Sequence, residues 1–250
     1  MKKEDWLKAI FEHSQLYPDS NEFPSPWGLL VCAKPEDVWG QVRDIFIEEH
    51  YGSEIDPPAR HIVDCGGNIG LSAIYFATAN PEAEVSVYEA DPTLAELIVE
   101  NAKRSNTSDQ ITVHPEAVYD RTGEITFAQS GDDKGAIAVN GVSLPCRDIA
   151  ETLTDQTTIL KMDIEGAEFV CFNRIVEGSG LRNIRRVAAE IHLENDDPQR
   201  LSALVSLLQS EGFKVCLRGD IADYTGKAVT RSPFHFVRDN KMFLHIYAWR

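Results

Sequence analysis

The sequence predicts an α/β fold built on a mostly parallel sheet, and three observations carry that expectation. From Arg60 onward, short apolar runs alternate with longer stretches of helical period, the pattern of strand–helix–strand units. Asp91-Pro92 and Asp197-Pro198 each place an N-capping carboxylate before a proline at the first helical position, and each follows a predicted strand. The 250 residues are 43% hydrophobic and 26% charged, enough apolar material for a sizeable core, which excludes disorder and fibre.

In chain order, Trp6, Leu7, Ile10 and Phe11 share one helical face and predict a short amphipathic helix. Tyr17 to Pro35 is broken by Pro18, Pro24, Pro26 and Gly28, leaving room for one strand at Leu29–Cys32. A second helix is expected over Val42–Tyr51, ended by Gly52 and the Pro57-Pro58 break. Residues 1–59 therefore read as an N-terminal extension, a lid or an interface, and residues 60–250 as the sheet domain. Strands are predicted at 61–64, 85–89, 111–114, 158–163, 187–192, 213–217 and 243–248. Helices are predicted at 69–79, 92–105, 167–177 and 198–211, the last from the stripe Leu201, Leu204, Val205, Leu208 and the stop at Gly212.

The interval 115–157 differs. Gly123, Gly131, Gly135 and Gly141 punctuate short alternating segments, which predicts hairpins or a mobile loop before the chain turns helical at Asp148. The final run, Met242–Trp249, has no helix before it after Gly226 and suits an antiparallel strand reached by a hairpin-like return.

Composition bounds the partners. With 24 Lys+Arg against 40 Asp+Glu, the net charge of −16 repels polyanions, so neither nucleic acid nor a phosphate-rich membrane is expected as a partner. Cys32, Cys65, Cys146, Cys171 and Cys216 stand singly, as reduced thiols do. The N-terminus meets acidic residues at once and no run is long enough to cross a bilayer, so cytoplasmic residence is the expectation.

The strongest chemical signal is Ile62-Val63-Asp64-Cys65-Gly66-Gly67-Asn68-Ile69-Gly70, a buried strand ending in an acid and a glycine-rich turn that opens a helix. The spacing is not that of a pyrophosphate-binding loop, and Asp64 suits a ligand with a cationic amine. Twenty-five positions on, Val85–Glu89 ends in a carboxylate where nucleotide-binding α/β domains hold both ribose hydroxyls. An amine and a ribose diol without an obligatory phosphate describe S-adenosylmethionine better than NAD. Close packing of the turn, with Asp64 merely capping a helix, is the structural alternative.

A second strand, Ile159-Leu160-Lys161-Met162, runs into Asp163-Ile164-Glu165-Gly166-Ala167-Glu168. D-I-E-G-A-E after a buried strand, with the upstream D-x-G-G-N-x-G turn, resembles the FkbM family of S-adenosylmethionine-dependent methyltransferases over about residues 60–192. The resemblance implies a Rossmann-like class I methyltransferase fold with a seven-stranded sheet, S-adenosylmethionine as cofactor with S-adenosylhomocysteine as product, and O-methylation of a sugar or secondary-metabolite hydroxyl. It implies that Asp64, Gly66, Gly67, Asn68 and Gly70 shape the methionine side, with Asp163 nearby. Glu89 would hold the ribose, while Ala90, Asp91, Glu116 and Ala117 would border the adenine. Residues 1–59 and 219–250 match nothing in the family pattern, which leaves the small-molecule acceptor, possibly glycosylated, and a possible homodimer open.

Glu190-Ile191-His192 ends the next predicted strand, and its first and third side chains share a face. His192 is the expected general base, with Glu190 or Asp163 orienting it. Glu168 reads as structural because a helix start favours carboxylates, and Lys161 either pairs with a carboxylate or reaches solvent at the sheet edge. His61, His114, His235 and His245 have no partner at ligand spacing, and Trp6 and Trp249 read as packing residues. No metal site is expected, although Asp163, Glu165, Glu190 and His192 are the group that would meet a hard divalent cation. Competing readings are an NAD-dependent oxidoreductase, which lacks its pyrophosphate fingerprint here, and a non-catalytic interaction protein on a nucleotide-binding fold.

Overall fold

In the computed structural model, which describes residues 2–128, 136–137, 141–178, 180–194, 198–219 and 241–250, the chain opens with helix α1 (Lys3–Leu16). Trp6 and Ile10, one turn apart, are its buried side chains. The helix outruns the expected Trp6–Phe11 because nothing breaks the backbone before Pro18, which disfavours helical geometry at Tyr17. Strands β1 (Glu22–Ser25) and β2 (Gly28–Val31) form an antiparallel hairpin. Helix α2 (Pro35–Val42) starts on a proline and runs into a π-helical turn (Arg43–Ile47), in which Glu48 N donates to Arg43 O at 2.9 Å. The helix expected over Val42–Tyr51 therefore lies earlier: Val38, Val42, Ile45 and Phe46 form its buried stripe, and Pro35 is its start signal.

The chain continues with β3 (His61–Cys65), α3 (Leu71–Ala79), β4 (Glu84–Tyr88), α4 (Pro92–Arg104), β5 (Ile111–His114), β6 (Ala117–Tyr119), β7 (Gly123–Ala128), β8 (Ala136–Ile137) and β9 (Val142–Asp148). It continues with α5 (Ile149–Thr152), β10 (Thr157–Met162), α6 (Glu168–Glu177), β11 (Arg186–Glu194), α7 (Pro198–Ser210), β12 (Lys214–Gly219) and β13 (Lys241–Trp249). Seven strands form one sheet in the order β12-β13-β11-β10-β3-β4-β5. The pairs from β11 through β5 are parallel, and β13 is antiparallel to both its neighbours, β11 and β12. The predicted mostly parallel sheet and its antiparallel last strand are thus present, and β13 lies inside the sheet rather than on its edge. Part of the 115–157 interval forms a second sheet, β6-β9-β7-β8, while Gly131, Gly135 and the cap Asp197 lie outside the described residues, as do Gly226 and His235. No helix among the described residues is long and apolar enough to cross a membrane.

The chain builds β3, β4 and β5 outward in one direction and then returns to place β10 on the other side of β3. The crevice beyond the carboxyl ends of β3 and β10 is therefore the switch point at which open α/β sheets bind ligands. On one face, α3 is buried from Leu71 to Ala77, between the sheet and the N-terminal extension, with Phe46 against Tyr75 at 5.6 Å and Tyr51 against Phe76 at 5.9 Å between ring centroids. On the other, Phe169, Phe172 and Ile175 of α6 and Leu204 and Leu208 of α7 pack with Val63, Leu160 and Ile191.

One buried amide ties the extension to the glycine-rich turn. Asn101, on α4 and without solvent exposure, accepts from Val31 N at 2.8 Å and donates to Val31 O at 2.9 Å and Ile69 O at 2.8 Å. Asn101→Ala strands three buried backbone groups and should cost on the order of 3 kcal/mol, read as a lower urea midpoint with an unchanged slope.

Candidate active site

The turn after β3 is shaped by contacts that leave no room for side chains. Gly66 has φ +81°, and a Cβ there would lie 1.8 Å from the carbonyl oxygen of Asp163, while a Cβ on Gly67 would lie 2.3 Å from Val87 Cγ1. The turn consequently nests against the exit of β10, where Asp163 N donates to Cys65 O at 3.0 Å. Glu89, just past β4, organises its far side: one carboxylate oxygen accepts from Asn68 N at 2.8 Å and the other from Asp91 N at 2.9 Å. Burial pushes the Glu89 carboxyl up to about 7, against the lowering influence of those two N–H groups. Each oxygen retains acceptor capacity, which fits a ribose diol. Asn68 Oδ1 is a buried acceptor with no hydrogen-bond partner among the described residues, a second feature that fits a ligand rich in donors.

Asp64 has no solvent exposure and is engaged from within the protein. Ser72 Oγ donates to its Oδ2 at 2.6 Å, and Lys161 Nζ lies 3.2 Å from its Oδ1. Lys161 also donates to Cys65 O and Gly66 O, lies 4.0 Å from Asp163 Oδ2, and sits 5.7 Å from the centre of the Tyr51 ring. Burial alone would lower its pKa, and the adjacent Asp64 charge reverses that and raises it. Of the two alternatives for Lys161, the carboxylate pairing is realised and the solvent-facing one is not, because β10 is a central strand whose register sets Lys161 beside Asp64. Tyr51 is the member of this site that residue patterns did not single out, since it meets Lys161 only through tertiary packing; for Lys161 the register of β10 on β3, which is non-local, decides between the two alternatives.

The third group surrounds His192 on β11. Its Nδ1 lies 3.0 Å from Glu168 Oε1, and its Nε2 lies 3.3 Å from Glu165 Oε2 and 3.5 Å from Glu190 Oε1. Glu168, without solvent exposure, also accepts from Ile164 N and Gly166 N at 3.1 Å. The carboxylate hydrogen-bonded to the imidazole is therefore Glu168, which is more than a helix-start residue, while Glu190 faces the other ring nitrogen. The turn at Glu165 and Gly166, with φ of +56° and +110°, brings it back beneath the imidazole. Burial would push His192 down, but the hydrogen bond to Glu168 and the charges of Asp163 and Glu165 lift it to about 9. Burial and the nearby Asp163 hold Glu190 above the usual carboxylate range. His245, read as lacking a partner, has Nε2 3.7 Å from Glu190 Oε2, because β13 pairs directly with β11, and its ring meets His50 at 5.3 Å.

Ligand atoms of Asp163, Glu165 and His192 all lie within 4.8 Å of one another. That spacing would admit a divalent cation, and the surplus of carboxylates would equally be balanced by a cationic organic ligand. The remaining sequence candidates sit at the opposite rim. Asp91 caps α4 by accepting from Thr93 N at 2.8 Å, Ala90 packs against the small cluster of Ala117, Ile125 and Cys146, and Glu116 meets Arg147 at 3.1 Å.

Comparison with known proteins places the chain in a family. The family description "Methyltransferase FkbM domain" matches residues 64–215. Methyltransferase 1 of Beauveria bassiana is 24% identical over 241 residues, covering 84% of this chain and 92% of that protein. AMB antimetabolite synthetase AmbE of Pseudomonas aeruginosa is 24% identical over 229 residues, covering 71% of this chain, but the chain spans only 11% of AmbE's length. Among solved structures, residues 961–1257 of StiE O-MT share the fold with a TM-score of 0.51 at 8% identity, over 96% of this chain and 81% of that one.

The Glu168 contact has a measurable consequence. In Glu168→Gln the imidazole titration of His192, followed by NMR, should move down from about 9 by one unit or more, because the principal raising interaction is gone while burial remains.

Proposed function

We propose that this chain, which belongs to the FkbM methyltransferase family, transfers a methyl group from S-adenosylmethionine to a hydroxyl of a small molecule, with His192 receiving the hydroxyl proton. The observation that carries this reading is the imidazole itself, fixed by Glu168 through Nδ1, with Nε2 3.3 Å from Glu165 and 3.5 Å from Glu190. When bound, S-adenosylmethionine supplies a methyl group on a cationic sulfur that is an excellent leaving group.

The protein's task is then alignment and proton removal. Glu89 accepts the ribose hydroxyls, Asn68 and the glycine turn line the methionine part, and Ala90, Asp91, Glu116 and Ala117 border the base. Fixing the reactants in line lowers a barrier of this kind by up to about 7–11 kcal/mol. An alcohol is a poor nucleophile until its proton leaves, and a positioned base contributes about 10²- to 10⁴-fold. The neutral imidazole is the competent form. Because His192 holds its proton up to about 9, turnover should rise with pH through the neutral range and level off near that value.

The acceptor follows from charge. A site surrounded by Asp163, Glu165, Glu168 and Glu190, on a chain of net charge −16, disfavours phosphorylated or polyanionic acceptors and suits neutral or cationic hydroxyl compounds. The likeness to a part of AmbE, named an antimetabolite synthetase, supports an acceptor of small-molecule size.

Calorimetry should show S-adenosylhomocysteine binding that weakens as pH falls from 8 to 6, since protonating Glu89 removes the acceptor of the diol; Glu89→Gln should bind weakly at every pH in that range. With radiolabelled methyl donor and a panel of neutral hydroxyl compounds, His192→Ala should keep its S-adenosylhomocysteine affinity within about threefold while losing about 10²- to 10⁴-fold in transfer. A wild-type protein that does not bind S-adenosylhomocysteine would sink the proposal.

A further inference from the structure

If the methionine part of the donor lies along the glycine turn, its ammonium group needs an anionic partner there. Three acceptors border the turn from below, and Lys161 occupies all of them: the Asp64 carboxylate at 3.2 Å, and the carbonyl oxygens of Cys65 and Gly66. Asp64 has no solvent exposure, and its other oxygen is held by Ser72 at 2.6 Å. A second cation could reach that carboxylate only by displacing Lys161 from an ion pair that is closed to solvent, which is strongly unfavourable.

Asp163 is differently placed. Its backbone is locked to the turn through the hydrogen bond from its N–H to Cys65 O and through the close approach of its carbonyl to Gly66. Its carboxylate is 28% exposed and lies 4.0 Å from Lys161, too far for a hydrogen bond. The other two partly exposed carboxylates of the cluster, Glu165 and Glu190, face Nε2 of His192 at 3.3 and 3.5 Å.

We propose that Asp163, and not Asp64, receives the ammonium group of the methyl donor, and that Lys161 is a positioning residue that withdraws Asp64 from this role and turns the carbonyls of Cys65 and Gly66 inward. The inference rests on the methyl-donor reading of the site and assigns the recognition of one charged group within it. Sequence position alone selects Asp64, since it ends the first strand before the turn; burial and the lysine select Asp163.

The test compares S-adenosylhomocysteine with its deaminated analogue, in which hydrogen replaces the amine, by calorimetry on the full chain. Wild type should prefer the amine-bearing ligand by about tenfold or more, the worth of one charge-assisted hydrogen bond. Asp163→Asn should lose that preference, binding the analogue about as wild type does. Because Asp64→Asn would strand a buried lysine, the matching variant is Asp64→Asn with Lys161→Met, checked for folding by circular dichroism; it should retain the preference even if both affinities fall. The Asp163→Asn result decides alone if that double variant does not fold. An unchanged preference in Asp163→Asn, its loss in a folded double variant, or a wild type that binds both ligands equally would overturn the assignment while leaving the methyl-donor reading intact. Failure of wild type to bind either ligand would instead remove that reading, and the assignment with it.

Discussion

The buried pair between Lys161 and Asp64 is the constraint around which the site is arranged. It joins the two strands that flank the switch point, and the same ammonium group draws in two carbonyls of the glycine turn. Removing two charges from water is expensive, and a buried pair recovers that cost only when its remaining hydrogen-bonding capacity is met. Here Ser72 donates to one carboxylate oxygen, the other faces the ammonium as an ion pair without a hydrogen bond, and the Tyr51 ring lies over the ammonium. The pair therefore acts as a fixed floor beneath the turn, and Asp163, two residues beyond Lys161 and just past the end of β10, marks where that floor opens.

Above it, electrostatics run the other way. Four carboxylates, Asp163, Glu165, Glu168 and Glu190, gather around one imidazole, and the imidazole answers by holding its proton more tightly. Their roles separate by burial. Glu168 has no exposure and takes two backbone N–H groups, so it is committed to fixing the ring. Glu165 and Glu190 stay partly exposed on the Nε2 side, where charge can be exchanged with a ligand. A negative rim thus stands over a floor whose charge is neutralised, an arrangement whose field favours a cation.

Much of the scaffold was legible in the sequence because it is encoded locally. Asp91 before Pro92 marks the start of α4, and the capping bond to Thr93 N is present. The short apolar runs ending in Asp64, Glu89 and Asp163 fall within a residue of observed strand ends. What escaped was encoded between elements. Glu168 and His192 are 24 residues apart, and Lys161 and Cys65 are 96 apart; nothing in either segment alone states that they meet. The displaced second helix is a different case: Pro35 offered a local start, but the π-helical turn at Arg43–Ile47 interrupts the 3.6-residue period that would have linked Val38 to Phe46.

The N-terminal extension follows from the same constraint. Its aromatic residues do not form a separate core: Trp6 contacts Phe46 at 4.8 Å, Phe46 contacts Tyr75 of α3, and Tyr51 contacts both Phe76 and Lys161. One unbroken row of rings thus runs from α1 to the buried ammonium. His50, adjacent to Tyr51, reaches His245 and through it Glu190, so the short segment after the π-helical turn touches both the floor and the rim. Residues 1–59 thus touch both charged layers directly, Tyr51 at Lys161 and His50 at His245. Helix α3, buried on both sides between sheet and extension, is the rigid element that holds this arrangement in register.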